Sequence, residues 1–235
     1  RKIVLIMAAE AEASLRGDKS AIGWYADKIV TMFDLISTIK SGNRMMFPDI
    51  GIDPDHRAAF TFAMAVTSNG VAVTDNFQYA AEQYKAWIET GRFPVKGFGK
   101  QGQDAMRKAF EFYNALKDSG KTDAEIQNYL SQKTTVGELK KDPVFKEFGL
   151  TVPSQDSVST EVSVAYILGP KIGDGFYMNL TGNFNPLTMD LWWMRMWNRI
   201  IGKPFKEPTN ATNDKNRKRI QKALEGDLNE YEQQT

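Results

Sequence analysis

Apolar residues recur at three- and four-residue steps along most of this chain, a period that suits helices and leaves little room for a sheet. Ile22, Tyr25, Ile29, Met32, Phe33 and Ile36 form one such stripe, following a Ser20 able to cap its helix. The expected fold class is therefore all-α. Gly42 to Asp55 is a turn-rich connection with two prolines, and an apolar helix from about Arg57 to Thr67 follows it. Ser68, Asn69 and Gly70 break that helix. The next is expected over Val73 to Thr90, stopped by Gly91 with Pro94 just beyond. Further helices are expected at about Gln103 to Ser119 and Thr122 to Gln132, the latter opening on the capping box Thr122-x-x-Glu125. A second box, Thr135-x-x-Glu138, opens a short helix, and Val152 to Ser159 reads as a linker.

A chain of 235 residues is long enough for a sizeable core. It is expected to form one helical unit, divisible into two lobes around a cleft: about 50–150 as a central lobe, and 1–49 with 151–235 as the other. The 30 Lys+Arg and 29 Asp+Glu leave a formal charge of +1, so any binding to nucleic acid must use local patches. The basic run Lys215, Arg217, Lys218, Arg219 is read as a solvated helix face. With no cysteine, the sequence excludes disulfides, thiolate metal sites, cysteine nucleophiles and iron–sulfur clusters, and it fits a reducing cytoplasm. His56, the single histidine, is placed in a polar turn, solvated, and no transition-metal site is expected. Ile3 to Ala9 is apolar but soon meets Glu10, Glu12 and Arg16, so it reads as a buried helix start, too short to span a bilayer. Gly97 to Gly102 lacks a preceding strand and a Gly-Lys-Ser/Thr ending, and is read as a flexible loop, not a phosphate cradle.

The chemistry is sought after Thr160, in TEVSVAYILGPKIGDGFYMNLTGNFNPLTMDLWWMRMWNR. One helix is expected to end near Leu168. Gly169-Pro170 makes a tight turn, and a second helix begins at once with Pro170 tolerated in its first turn. The tip of such a hairpin offers backbone N–H groups at a helix N-terminus, a seat for a phosphate. Lys171 lies in that first turn, where the positive end of the helix dipole disfavours a protonated amine, which suits a nucleophile. Asp190 follows nineteen positions later, after the turn Gly182-Asn183-Phe184-Asn185-Pro186, so the chain has room to reverse and return a carboxylate towards the lysine. Asp174, one turn from Lys171, could instead hold the amine in a plain ion pair.

Gly169-Pro170-Lys171 and Met189-Asp190-Leu191-Trp192-Trp193-Met194-Arg195 resemble the Gly-x-Lys hairpin and the aspartate-bearing stretch of the helix-hairpin-helix DNA glycosylases. The lysine-to-aspartate spacing is similar to that of the oxoguanine glycosylases. Ala65 to Gly70 resembles the loop that fills the gap left by an extruded base, with Asn69 as the plug flanked by Ser68 and Gly70. The resemblance implies a base-excising enzyme acting on double-stranded DNA, with Lys171 and Asp190 as its catalytic pair and Gly169 and Pro170 holding the backbone. Phe176, Trp192 and Trp193 are candidates for the base pocket, although aromatic residues at helical spacing more often pack a core. Ala165-Tyr166-Ile167 stands where the family carries its first hairpin glycine, and Trp192 replaces the family histidine. No cofactor is expected beyond the backbone-bound monovalent cation that the resemblance leaves open. An oxidised base is the implied substrate. Similarity to phage and bacterial reading frames adds a modified phage base and a part in antiviral defence. The expected assembly is a monomer, cytoplasmic and associated with the nucleoid. The rival readings are a non-catalytic helix-hairpin-helix DNA-binding module and a helical interaction protein.

Overall fold

The computed structural model describes residues 33–38, 47–100, 102–150 and 157–186, with positions 8, 9, 12, 31, 40, 41, 44, 45 and 188. The chain divides into two compact units, one of Arg1–Gly17 with Asp190–Thr235 and one of Asp18–Met189. Of the first, residues 8, 9 and 12 are described, and all three are helical. The second unit is mostly helical.

Helix α1, Pro54–Thr67, lies at its centre, and every residue from Ala58 to Thr67 is buried. The sequence AAFTFAMAVT is apolar all round, as a fully enclosed helix must be, and its alanines let neighbours approach closely. It begins three residues earlier than the periodicity predicts, because Asp53 caps it. The Asp53 carboxylate accepts from the N–H groups of Asp55 at 2.8 Å and His56 at 3.3 Å, and Pro54 occupies the first turn, where its missing N–H costs nothing. Around α1 stand α2 (Val73–Thr90), α3 (Gln103–Asp118) and α4 (Asp123–Leu130). Helix α2 ends where expected, with Gly91 at φ 74°, a conformation that glycine adopts without strain. Helix α4 opens on the complete capping box of Thr122 and Glu125, and α5 (Val136–Lys141) on that of Thr135 and Glu138. Helix α6, Pro143–Glu147, is capped by Asp142.

Two short antiparallel ribbons were not legible in the helical period. Lys40–Ser41 (β1) pairs with Arg44–Met45 (β2). Lys133–Thr135 (β3) pairs with Glu161–Ser163 (β4), with Lys133 opposite Ser163 and Thr135 opposite Glu161. The second ribbon carries the chain from α4 and α5 into the segment of chemical interest. Around the described part of the Gly97 to Gly102 loop, Lys96 lies 4.6 Å over the Phe98 ring, Phe98 stacks on Tyr79, and Gly97 packs so tightly that a Cβ there would stand 2.5 Å from the Cα of Gln103.

The core is aromatic. Phe62 contacts Phe93, Phe110, Tyr113 and Tyr177, and Phe60 meets Phe77 and Tyr84 edge on. Burial pushes the hydroxyls of Tyr84, Tyr113 and Tyr177 well above the ordinary phenol value, and nearby Asp123 adds to this at Tyr113, as Asp49 and Asp53 do at Tyr84. A raised folded-state value means that the stabilisation is fully present below pH ~10, where both states keep the proton, and is lost as pH rises through the folded values. In an alkaline titration, these three tyrosines are expected to ionise only together with a cooperative loss of helical circular dichroism. Tyrosinate absorbance from every tyrosine before any loss of helix would contradict this burial.

Candidate functional site

The segment from Val164 to Leu180 is wound unusually. Val164–Leu168 is a 3₁₀-helix, Gly169 turns the chain at φ 100° and ψ 151°, Pro170–Tyr177 is a π-helix, and Met178–Leu180 (α7) closes it in α form. The predicted break between Leu168 and Pro170 is present, but the two helices flanking it are tighter and wider than the α-helices expected. The close approach of the two pieces accounts for the glycine at 173. A Cβ there would overlap the carbonyl oxygen of Ala165 and stand 2.5 Å from its carbonyl carbon.

Lys171 sits in the first turn of the π-helix and is half-buried. The rival ion pair with Asp174 is not formed. Three residues turn the chain about 300° in an α-helix and about 245° in the wider π form, so Asp174 is carried round to β4. Its Oδ1 accepts from the Ser163 N–H at 2.7 Å. Among the described residues Lys171 makes no ion pair.

Beyond α7 the chain reverses. Asn179 organises the turn: its Nδ2 donates to the carbonyls of Asn183 at 2.9 Å and Pro186 at 3.0 Å, and its Oδ1 accepts from the Thr188 hydroxyl at 2.7 Å. The backbone N–H of Asn183 closes the helix end on Met178 O at 2.9 Å. Asp190, Trp192 and Trp193 lie outside the described residues, as does the basic run of Lys215, Arg217, Lys218 and Arg219.

Ser68, Asn69 and Gly70 form the turn that ends α1. The Ser68 hydroxyl donates to Ala65 O at 2.7 Å, Gly70 takes φ 71°, and the Asn69 amide lies against Gly102 at the start of α3. Phe176 is buried within the core cluster. An open cavity of about 360 Å³ is lined by Ile52, Pro54, Arg57, Ala124, Gln127 and Asn128, none of them a predicted site residue.

Two polar features escape sequence reasoning. Asp123, 1% exposed, receives the Trp87 indole N–H at 3.1 Å, the Tyr113 hydroxyl at 2.8 Å and the Lys117 ammonium. From sequence it is merely the acidic residue after a capping threonine. His56 is not in a solvated turn: the early start of α1 makes it helical, and its Nδ1 lies 2.6 Å from the Tyr84 hydroxyl, with its ring edge-on to Trp87. Among the described residues no group of His, Asp and Glu could hold a metal ion, and no helix is long and apolar enough to cross a membrane. Comparison with family models, with curated proteins and with solved structures finds no match to the chain.

Proposed function

We propose that this chain is a DNA glycosylase of the helix-hairpin-helix kind, which flips a damaged or modified base out of double-stranded DNA, excises it, and cleaves the strand through Lys171. The observation that carries the reading is the state of that lysine. Its amine stands directly after the Gly169 turn, unpaired among the described residues, because Asp174 is held by the Ser163 N–H instead.

The chemistry follows from these groups. A base inside a duplex is out of reach, so the nucleotide must leave the stack, at a cost of a few kcal/mol. As the glycosidic C1′–N bond breaks, its electron pair leaves with the base, which takes up a proton, and positive charge develops on the sugar. The Asp190 carboxylate stabilises that charge. Attack requires the unprotonated form of the Lys171 amine, which forms the new Nζ–C1′ bond and then loses a proton, and ring opening sends the C1′–O4′ electron pair to O4′, which takes up a proton, leaving an imine. Loss of a C2′ proton then expels the 3′ phosphate by β-elimination. Gly169 and Pro170 seat the phosphodiester backbone at the helix start. An oxidised base or a modified phage base is the substrate class, the latter placing the enzyme in antiviral defence.

Borohydride reduction on duplex DNA with an abasic site tests the mechanism. The wild type is expected to yield a covalent adduct, and Lys171→Gln none, with unchanged folding because the side chain is half-exposed. Base release without any adduct would remove the lyase step and leave a simple glycosylase. DNA binding with neither would leave a non-catalytic binding module, and failure to bind DNA at low salt would reject the reading altogether.

A further inference from the structure

Lys117 and Asp123 meet inside the protein, the lysine from the last turn of α3 and the aspartate from the first turn of α4. The Lys117 Nζ donates to Oδ2 of the carboxylate, whose side chain is 2% exposed against 23% for the lysine. The other oxygen, Oδ1, takes a different pair of donors, the Trp87 indole N–H at 3.1 Å and the Tyr113 hydroxyl at 2.8 Å. Trp87 borders both partners, because Lys117 Nζ also lies 5.7 Å from the centre of its ring. Among the described residues the ammonium has no second hydrogen-bond acceptor.

The two oxygens are thus sorted by role. When a nucleophile adds to a carboxyl carbon, negative charge gathers on one oxygen, and donors fixed there beforehand stabilise it. Trp87 and Tyr113 supply those donors at Oδ1, while the amine stands at Oδ2, the oxygen that would leave. Three helices hold the groups in place, so little freedom remains to be lost on reaction. A buried ion pair is also costly, since both charges have given up their hydration. Passing one proton from Nζ to Oδ2 turns the pair into a neutral amine and acid.

We propose that Lys117 and Asp123 condense in the folded protein to an isopeptide bond between Nζ and Cγ, with loss of one water. After that proton transfer the amine's lone pair forms the Nζ–Cγ bond, and the electron pair of Cγ=Oδ1 moves to Oδ1, where Tyr113 and Trp87 hold it. As the pair returns, the Cγ–Oδ2 bond breaks, and the Oδ2 hydroxyl takes a proton from Nζ and leaves as water. Two buried charges vanish, and α3 is tied covalently to α4 across the turn at Ser119-Gly120. The ion pair is the reactant, and no further reactant is consumed. The link does not depend on the DNA reading.

Mass spectrometry of the intact, denatured full chain tests this. Wild type is expected to be lighter than its sequence by one water. Trypsin does not cut after an acylated lysine, so residues 109–121 are expected to remain joined to 122–133. Lys117→Arg is expected to keep its full sequence mass. Asp123→Asn, which presents an amide at the same carbon, is expected to lose one ammonia in place of the water. Tyr113→Phe, with one donor fewer on Oδ1, is expected to form the link about a hundredfold more slowly. A folded wild-type chain that keeps its full sequence mass after days at neutral pH overturns the proposal, whether or not a variant folds. Water loss retained in Lys117→Arg, or water loss in Asp123→Asn, also overturns it by placing the condensation elsewhere, as in a cyclic imide at Asp174-Gly175. A link that forms as fast in Tyr113→Phe as in wild type rejects the part given to the donors on Oδ1.

Discussion

Gly173→Ala is expected to cost about 3 kcal/mol or more, the upper end for overpacking, and, under the proposed lyase mechanism, to abolish adduct formation at Lys171 along with it. The reason is geometric. The new methyl would overlap a backbone oxygen, that of Ala165, and a backbone carbonyl cannot swing aside as the end of a flexible side chain can. To make room, the π-helix must separate from the 3₁₀-helix before it. Both bury large side chains, Tyr166 and Ile167 on one and Phe176 and Tyr177 on the other, so the separation opens the core. Gly182→Ala provides the control. That glycine has a positive φ of 90° but no atom within 4 Å of an added Cβ, so only the strain of a left-handed backbone is felt, about 1 kcal/mol. Urea denaturation of the two variants checks the difference. A Gly173→Ala protein as stable as Gly182→Ala would mean that the two helical pieces are not in contact as described.

Asp123→Ala is the second large effect, at about 3–5 kcal/mol, the range for breaking a buried charged group away from its partners. The carboxylate accepts from Trp87, Tyr113 and Lys117, which lie on α2 and α3, while Asp123 itself opens α4. Its removal leaves a buried indole N–H and a buried hydroxyl with no acceptor, and an ammonium without its counter-charge. Asp123→Asn keeps an acceptor oxygen for Trp87 and Tyr113 and is expected to cost about half as much. A loss below about 1 kcal/mol for the alanine variant would show that the network does not hold the three helices together. Under the proposed mechanism, adduct formation at Lys171 in the Asp123→Asn protein is expected to match that of wild type. Buried carboxylates close to Trp, Tyr, Lys and His are natural suspects for catalysis, but the bonds at Asp123 are directed inward to other helices and leave no side open to a substrate.

Which features were legible in the sequence follows from the range of the forces behind them. Capping and glycine signals act within one turn. Accordingly, the starts of α4 and α5, the end of α2 at Gly91 and the break at Gly169-Pro170 stand where the sequence puts them. The enclosed run from Ala58 to Thr67 was equally readable, because an all-apolar helix has only the interior to occupy.

Contacts between distant segments decided the rest. Asn69 lies against Gly102, and His56, read as solvated, reaches Tyr84 28 positions away. The π winding of Pro170–Tyr177 goes with the close packing of Gly173 on Ala165, and Asp174 bonds to the Ser163 N–H instead of pairing with Lys171. The local sequence by itself determined where helices begin and end, since caps and left-handed glycines satisfy backbone groups within a few residues. Only the tertiary structure decided which polar side chains pair and how the hairpin segment is wound, because burial and close approach are set by residues far away along the chain.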